Sequence, residues 1–117
     1  MGDNILKSKS FEFAIRIVKL NKFLIERHKE FVLSKQILRS GTAIGALIRE
    51  SEQAESKKDF VHKLSIALKE ANETEYWLEL LAVTDHIVQK MFSSLIADCK
   101  ELLRLLTSII KTSKSRI

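Results

Sequence analysis

A chain of 117 residues with no proline, three glycines and 45% apolar residues is long enough for one core and has few helix breakers. No apolar run approaches the roughly 18 residues of a membrane span, and the start MGDNILKSKS lacks an apolar signal segment, so neither a membrane protein nor a secreted one is expected. The net charge of +5 argues for an acidic or polyanionic partner if it is gathered on one surface, and the lone Cys99 excludes an internal disulfide and fits a reducing cytoplasm.

The charge is ordered along the chain. Residues 1–49 carry ten Lys/Arg against four Asp/Glu, residues 50–86 carry four against nine, and residues 87–117 carry six against two. A basic–acidic–basic order fits complementary helix faces within a bundle or between subunits; it also fits a basic surface for a polyanion.

Residues 1–9 read as a loose polar tail, with Ser10 as N-cap of a first helix running to about Arg27. Ala14, Ile17, Val18, Asn21, Leu24 and Ile25 form a stripe at helical spacing, while Phe11, Phe13, Ile15, Leu20 and Phe23 lie outside it. So wide an apolar arc predicts subunit contact through residues such as Phe11, Phe13 and Ile15. The segment from Arg27 to Ser34 breaks the period, and Ser34 is the expected cap of a second helix reaching about Ala54. Its face is Ile37, Gly41, Ile44 and Ile48. Gly41 and Gly45 each cost a helix about 1 kcal/mol relative to alanine, which predicts close approach of a neighbouring backbone.

Ser56-Lys57-Lys58-Asp59 is a capping box and opens a third helix with core face Phe60, Leu64, Ala67, Leu68, Ala71, Leu78 and Leu81. Ala82 to Val88 forms a turn. A fourth helix follows to about Thr112, with Phe92, Leu95, Ile96, Cys99, Leu102, Leu103, Leu106, Ile109 and Ile110 at core spacing and a frayed end near 113–117. Four helices joined by short breaks predict a single-domain, all-α, antiparallel up-down-up-down four-helix bundle over residues 1–117.

Three stretches carry a family resemblance: Gln36-Ile37-Leu38-Arg39-Ser40-Gly41-Thr42-Ala43-Ile44-Gly45-Ala46, then Ala54-Glu55-Ser56-Lys57-Lys58-Asp59-Phe60, then Ile66 to Leu78, IALKEANETEYWL. They resemble the bacterial four-helix-bundle proteins encoded inside intervening sequences of 23S ribosomal RNA. They are also similar to the accessory variability proteins of diversity-generating retroelements. The resemblance implies a homopentameric barrel of four-helix protomers with a nucleic-acid-binding role, in a family for which no enzymatic activity is established. Leu47 and Arg49 depart from the pattern, which often has Asn and Ala there. Leu47 removes a polar contact that relatives could use, and Arg49 adds charge near the end of the second helix.

No catalytic constellation is present. Glu70, Glu73, Tyr76, Asp59 and His62 invite a di-iron reading, but such a site needs Glu-x-x-His on two helices, and only Asp59-x-x-His62 approximates one. Salt links across a helix or a subunit boundary are the expected role of these carboxylates, and no metal or cofactor is expected. His28 and His86 fall beside turns and read as solvated. Cys99, among apolar neighbours, reads as an inert buried thiol, and Tyr76 and Trp77 as packing rather than a base-stacking platform.

In the expected bundle, one end gathers Lys7, Lys9, Arg49, Lys57, Lys58, Lys111, Lys114 and Arg116 against Asp3, Glu50, Glu52, Glu55 and Asp59, an excess of three positive charges. Lys57 and Lys58 sit in the first turn of a helix, where the macrodipole disfavours cations. Relief by Glu50, Glu52 and Glu55 is one account, and phosphate binding at a helix N-terminus is the other. The leading expectation is a non-enzymatic homo-oligomer that binds RNA through phosphates; a structural or adaptor assembly that recognises another protein is the competing one.

Overall fold

The computed structural model describes residues 2–115, with side chains from residue 5 onward. Four helices account for nearly all of it: α1 (Gly2–His28), α2 (Leu33–Ser51), α3 (Lys57–Val83) and α4 (Gln89–Lys114). They form an elongated body of 47 × 21 × 19 Å in which each helix packs on two neighbours. The order around the bundle is α1, α2, α3, α4, and the α4–α1 seam closes least tightly.

The core follows a three-four alternation on all four helices. On α1 the buried positions are Leu6, Ser10, Phe13, Ile17, Leu20 and Leu24; on α2 they include Ser34, Ile37, Gly41, Ile44, Ile48 and Ser51. On α3 Val61, Leu64, Ala67, Ala71, Thr74, Leu78 and Leu81 are buried, and on α4 Leu95, Cys99, Leu102, Leu106 and Ile110. This is the seam spacing of helices packed at a shallow angle with knobs into holes. The apolar faces expected for α2, α3 and α4 all lie on it or beside it.

The expectation for α1 needs three corrections. The segment before Ser10 is helical from Gly2, because Leu6 continues the core register four residues ahead of Ser10. Ser10 caps nothing; it is buried inside the helix and its hydroxyl donates to the Lys7 carbonyl at 3.0 Å. The buried stripe is also rotated, so that Phe13 and Leu20 lie in the chain's own core while Val18 faces outward. A serine in a core slot conceals the phase of the apolar repeat.

The turn between α1 and α2 is locked by a residue other than the one expected. Ser34 lies in the first turn of α2, and its hydroxyl donates to the Glu30 carbonyl at 2.6 Å. The free α2 amides are served by the Glu30 carboxylate, which accepts from Ser34 N at 2.8 Å and from Val32 N at 3.4 Å. Burial pushes the Glu30 carboxyl up, but the amides of Ser34, Leu33 and Val32 outweigh it and hold it below the usual value. Lys29, at φ 52°, makes the reversal, and Asn21 ties it down by donating to the Ser34 carbonyl at 3.1 Å.

The α3 cap is as the sequence predicts. Ser56 Oγ accepts from Asp59 N at 3.0 Å, and the Asp59 carboxylate accepts from Glu55 N at 3.2 Å, one residue earlier than the usual box. α4 starts after Val88 with no side-chain cap.

Every buried side-chain nitrogen and oxygen among the described residues has a hydrogen-bond partner. The Thr74 hydroxyl lies 2.8 Å from both Ser40 Oγ and the Glu70 carbonyl, joining α2 to α3. Its single proton serves one of the two, so Ser40 donates in the pair if Thr74 donates to Glu70. Cys99 is fully buried, donates to the Ala71 carbonyl at 3.4 Å, and is pushed up to about 12 by burial.

Candidate nucleic-acid interface

The two α2 glycines are not equivalent. A methyl group added at Gly41 would lie 2.8 Å from Ile17 Cγ1 and 2.9 Å from its Cγ2, and Ile17 is fully buried and branched at Cβ. Here α1 presses a side chain onto the backbone of α2. A methyl group at Gly45 would meet the Ser10 carbonyl at 3.4 Å, ordinary contact, and Gly45 lines a shallow groove between the two helices.

The charged residues expected at one end divide into three sets. Lys7 and Lys9 are ion-paired, with Glu52 at 3.3 Å and Glu101 at 3.2 Å. Arg49 rests its guanidinium 5.0 Å from the centre of the Phe11 ring, a cation–π contact that covers part of the outward face of α1. Lys57, Lys58, Lys111 and Lys114 are exposed and take part in none of the described ion pairs. Arg116 lies outside the described residues. Of the carboxylates expected to relieve Lys57 and Lys58, Glu52 is engaged with Lys7 and Glu50 with Lys63, both at 3.3 Å, whereas Glu55 is exposed and enters none of the described ion pairs; Asp59 is turned into the α3 cap. Lys111 and Lys114 lie in the last turn of α4, where the helix dipole favours cations.

Next to Ser56, the residue before Lys57 and Lys58, is a cavity of about 380 Å³. Its floor is Leu6 from α1, Ile48 from α2 and Leu64 from α3, its wall is Phe60, and Ser51 and Glu52 line its polar side. The start of α1, the end of α2 and the start of α3 therefore meet at one place. Nothing in the linear pattern announces this space, because its lining comes from three helices and the turn between two of them.

Elsewhere, Glu70 and Glu73 are held by Arg39 of α2: Arg39 Nη1 lies 3.1 Å from Glu70 Oε1, and Nη2 bonds Glu73 Oε2. Trp77 Nε1 donates to the same Glu73 oxygen at 2.8 Å. The Arg39 bond, helped by Trp77, holds the Glu73 carboxyl below its ordinary value. These carboxylates thus make the salt link across helices that the sequence predicts. Phe11 and Ile15, with Val18, remain exposed on α1, whereas Phe13 is buried within the chain and is withdrawn from any surplus surface. His28 and His86, which the sequence leaves unrelated, pack edge-on with ring centres 5.3 Å apart and join the two turns at the other end.

Compared with known proteins, the chain matches the family model of the 23S rRNA-intervening sequence protein over residues 2–108. The chain belongs to that family. A solved structure, described as a protein of unknown function of the S23 ribosomal protein family from Bacteroides thetaiotaomicron, is 63% identical. The match covers 95% of this chain and 99% of that one, with a TM-score of 0.94. No match is found among the curated proteins. The departures at Leu47 and Arg49 are accommodated locally: Leu47 packs against the core, and Arg49 lies over Phe11. No described helix is long and apolar enough to cross a membrane.

Proposed function

We propose that the protein is a non-enzymatic, cytoplasmic homo-oligomer of helical bundles that binds nucleic acid, RNA in the first place, through its phosphates. The observation that carries the reading is the set Lys57, Lys58, Lys111 and Lys114, exposed and outside every described ion pair, with Glu50, Glu52 and Asp59 engaged elsewhere and Glu55 left to offset only one of these charges. Cations freed in this way interact with phosphate rather than with their own chain. The family description, which refers to an intervening sequence of 23S ribosomal RNA, agrees with an RNA setting.

The contact register supports an antiparallel up-down-up-down order. Lys7 pairs with Glu52 and Asn21 with Ser34 between α1 and α2; Arg39 pairs with Glu73 and Glu50 with Lys63 between α2 and α3. Arg16 with Asp98, and Lys9 with Glu101, continue the same reversal between α1 and α4. The outward stripe Phe11, Ile15 and Val18 on α1 supports contact between copies, and a pentamer fits the family resemblance. A cyclic assembly would present the lysine-bearing ends on one face and multiply their field.

The test is Lys57→Glu with Lys58→Glu against the same reversal at Lys22 and Lys29. The first pair weakens RNA binding and flattens its dependence on salt, with circular dichroism and assembly unchanged. Equal losses from both pairs would mean diffuse attraction to a basic protein and would remove the localised site.

A further inference from the structure

We infer that the cavity between α1, α2 and α3 takes one unpaired nucleobase, and that it prefers a base bearing an exocyclic amine. The inference rests on the nucleic-acid reading and adds to it a ligand class and a base preference. At about 380 Å³ the space lies near the lower end of the roughly 300–1,000 Å³ typical of ligand sites. Its floor of Leu6, Ile48 and Leu64 is apolar and buried, and the half-buried Phe60 ring stands at its wall. An aromatic side chain beside an apolar floor suits a flat heterocycle taken out of its stack. A phosphodiester carries charge on both sides of every base, and Lys57 and Lys58 follow directly after Ser56 at the mouth. With Glu52 in the lining and Glu55 directly before Ser56, the mouth carries both signs of charge, which suits a ligand bearing both a phosphate and a hydrogen-bond donor, as a nucleotide does, over a neutral apolar one.

The polar side of the cavity sets the preference. The Ser51 hydroxyl spends its proton on the Ile48 carbonyl at 2.6 Å, which leaves only lone pairs to offer. Glu52 has one oxygen on Lys7 at 3.3 Å and the other free to accept. Acceptors therefore predominate, with the Ser56 hydroxyl as a donor at the rim. A carboxylate facing cytosine N4 gains a hydrogen bond, whereas uracil sets a carbonyl against it. Cytosine and uracil are nearly equal in size and π-face, so they isolate this one contact.

The experiment is fluorescence anisotropy with oligocytidylate and oligouridylate of equal length at one fixed salt concentration. The wild-type chain binds oligocytidylate about tenfold more tightly. Glu52→Gln, at an exposed position, brings the two affinities together although it removes a negative charge and strengthens both. Phe60→Leu weakens both by about tenfold, with thermal stability recorded as the control. Equal binding of the two oligomers, or a preference that survives Glu52→Gln, overturns the base site while leaving phosphate binding intact. Failure of both oligomers to bind at low salt overturns both the base site and the nucleic-acid reading.

Discussion

Gly41 and Gly45 illustrate how closely one residue's surroundings decide its role. Both cost the helix backbone freedom, but only Gly41 is pressed by a buried side chain that has nowhere to move. Gly41→Ala should destabilise the fold, because overpacking of about 1–3 kcal/mol outweighs the roughly 1 kcal/mol gained in helix propensity. Gly45→Ala should be neutral or stabilising by up to about 1 kcal/mol. Thermal unfolding of the two variants side by side checks this, and equal behaviour would contradict the Ile17 contact. Glu30 offers a second test at this scale. Its carboxyl is held below the ordinary 4.5, so its contribution is complete above that pH and is lost as pH falls through the folded-state value. Glu30→Ala should remove about 1 kcal/mol at neutral pH and less in acid, where the wild-type carboxyl is itself protonated. Denaturant titrations at both pH values would show the gap narrowing.

At the scale of the element, α1 is the informative helix. Its first turns carry only one strongly apolar core residue, Leu6, and the polar sequence around it resembles a tail. Because Leu6 is 1% exposed and helps floor the cavity, Leu6→Ala should cost about 2–5 kcal/mol. A loose tail would lose nothing measurable, so chemical denaturation separates the two descriptions. α1 also presents two faces, one packed on α2 and α4 and the other carrying Phe11, Ile15 and Val18. Arg49 shields Phe11 only in part, since that side chain is still 52% exposed.

At the scale of the whole molecule, the exposed apolar stripe of α1 and the exposed lysines are the surfaces available to partners. Replacing Phe11 and Ile15 by Asp should leave the helical spectrum unchanged and lower the mass found by light scattering, if α1 joins one copy to the next. A wild-type monomer at micromolar concentration would rule out copy-to-copy contact, and a stable dimer would exclude five-fold symmetry while keeping the interface. Assembly and RNA affinity should fall together, because a cyclic array multiplies the lysine field and the number of phosphates engaged.

Helix content, the number of helices and most of the core were legible from local information. Proline is absent, apolar residues recur at three-four spacing on α2 to α4, and Ser56 and Asp59 mark the start of α3 by short-range hydrogen bonds. Periodicity failed on α1 because Ser10 occupies a core slot opposite Gly45, a fit that exists only once α2 is in place. The Glu30 cap was hidden for a related reason, since its position is set by the reversal at Lys29 and not by a cap preference. The list of basic residues could be written from the chain, but which of them are consumed by carboxylates depends on side chains that are distant in sequence and adjacent in space. The cavity is furthest from the sequence of all: it is the space left where three helices meet, and no residue encodes it alone.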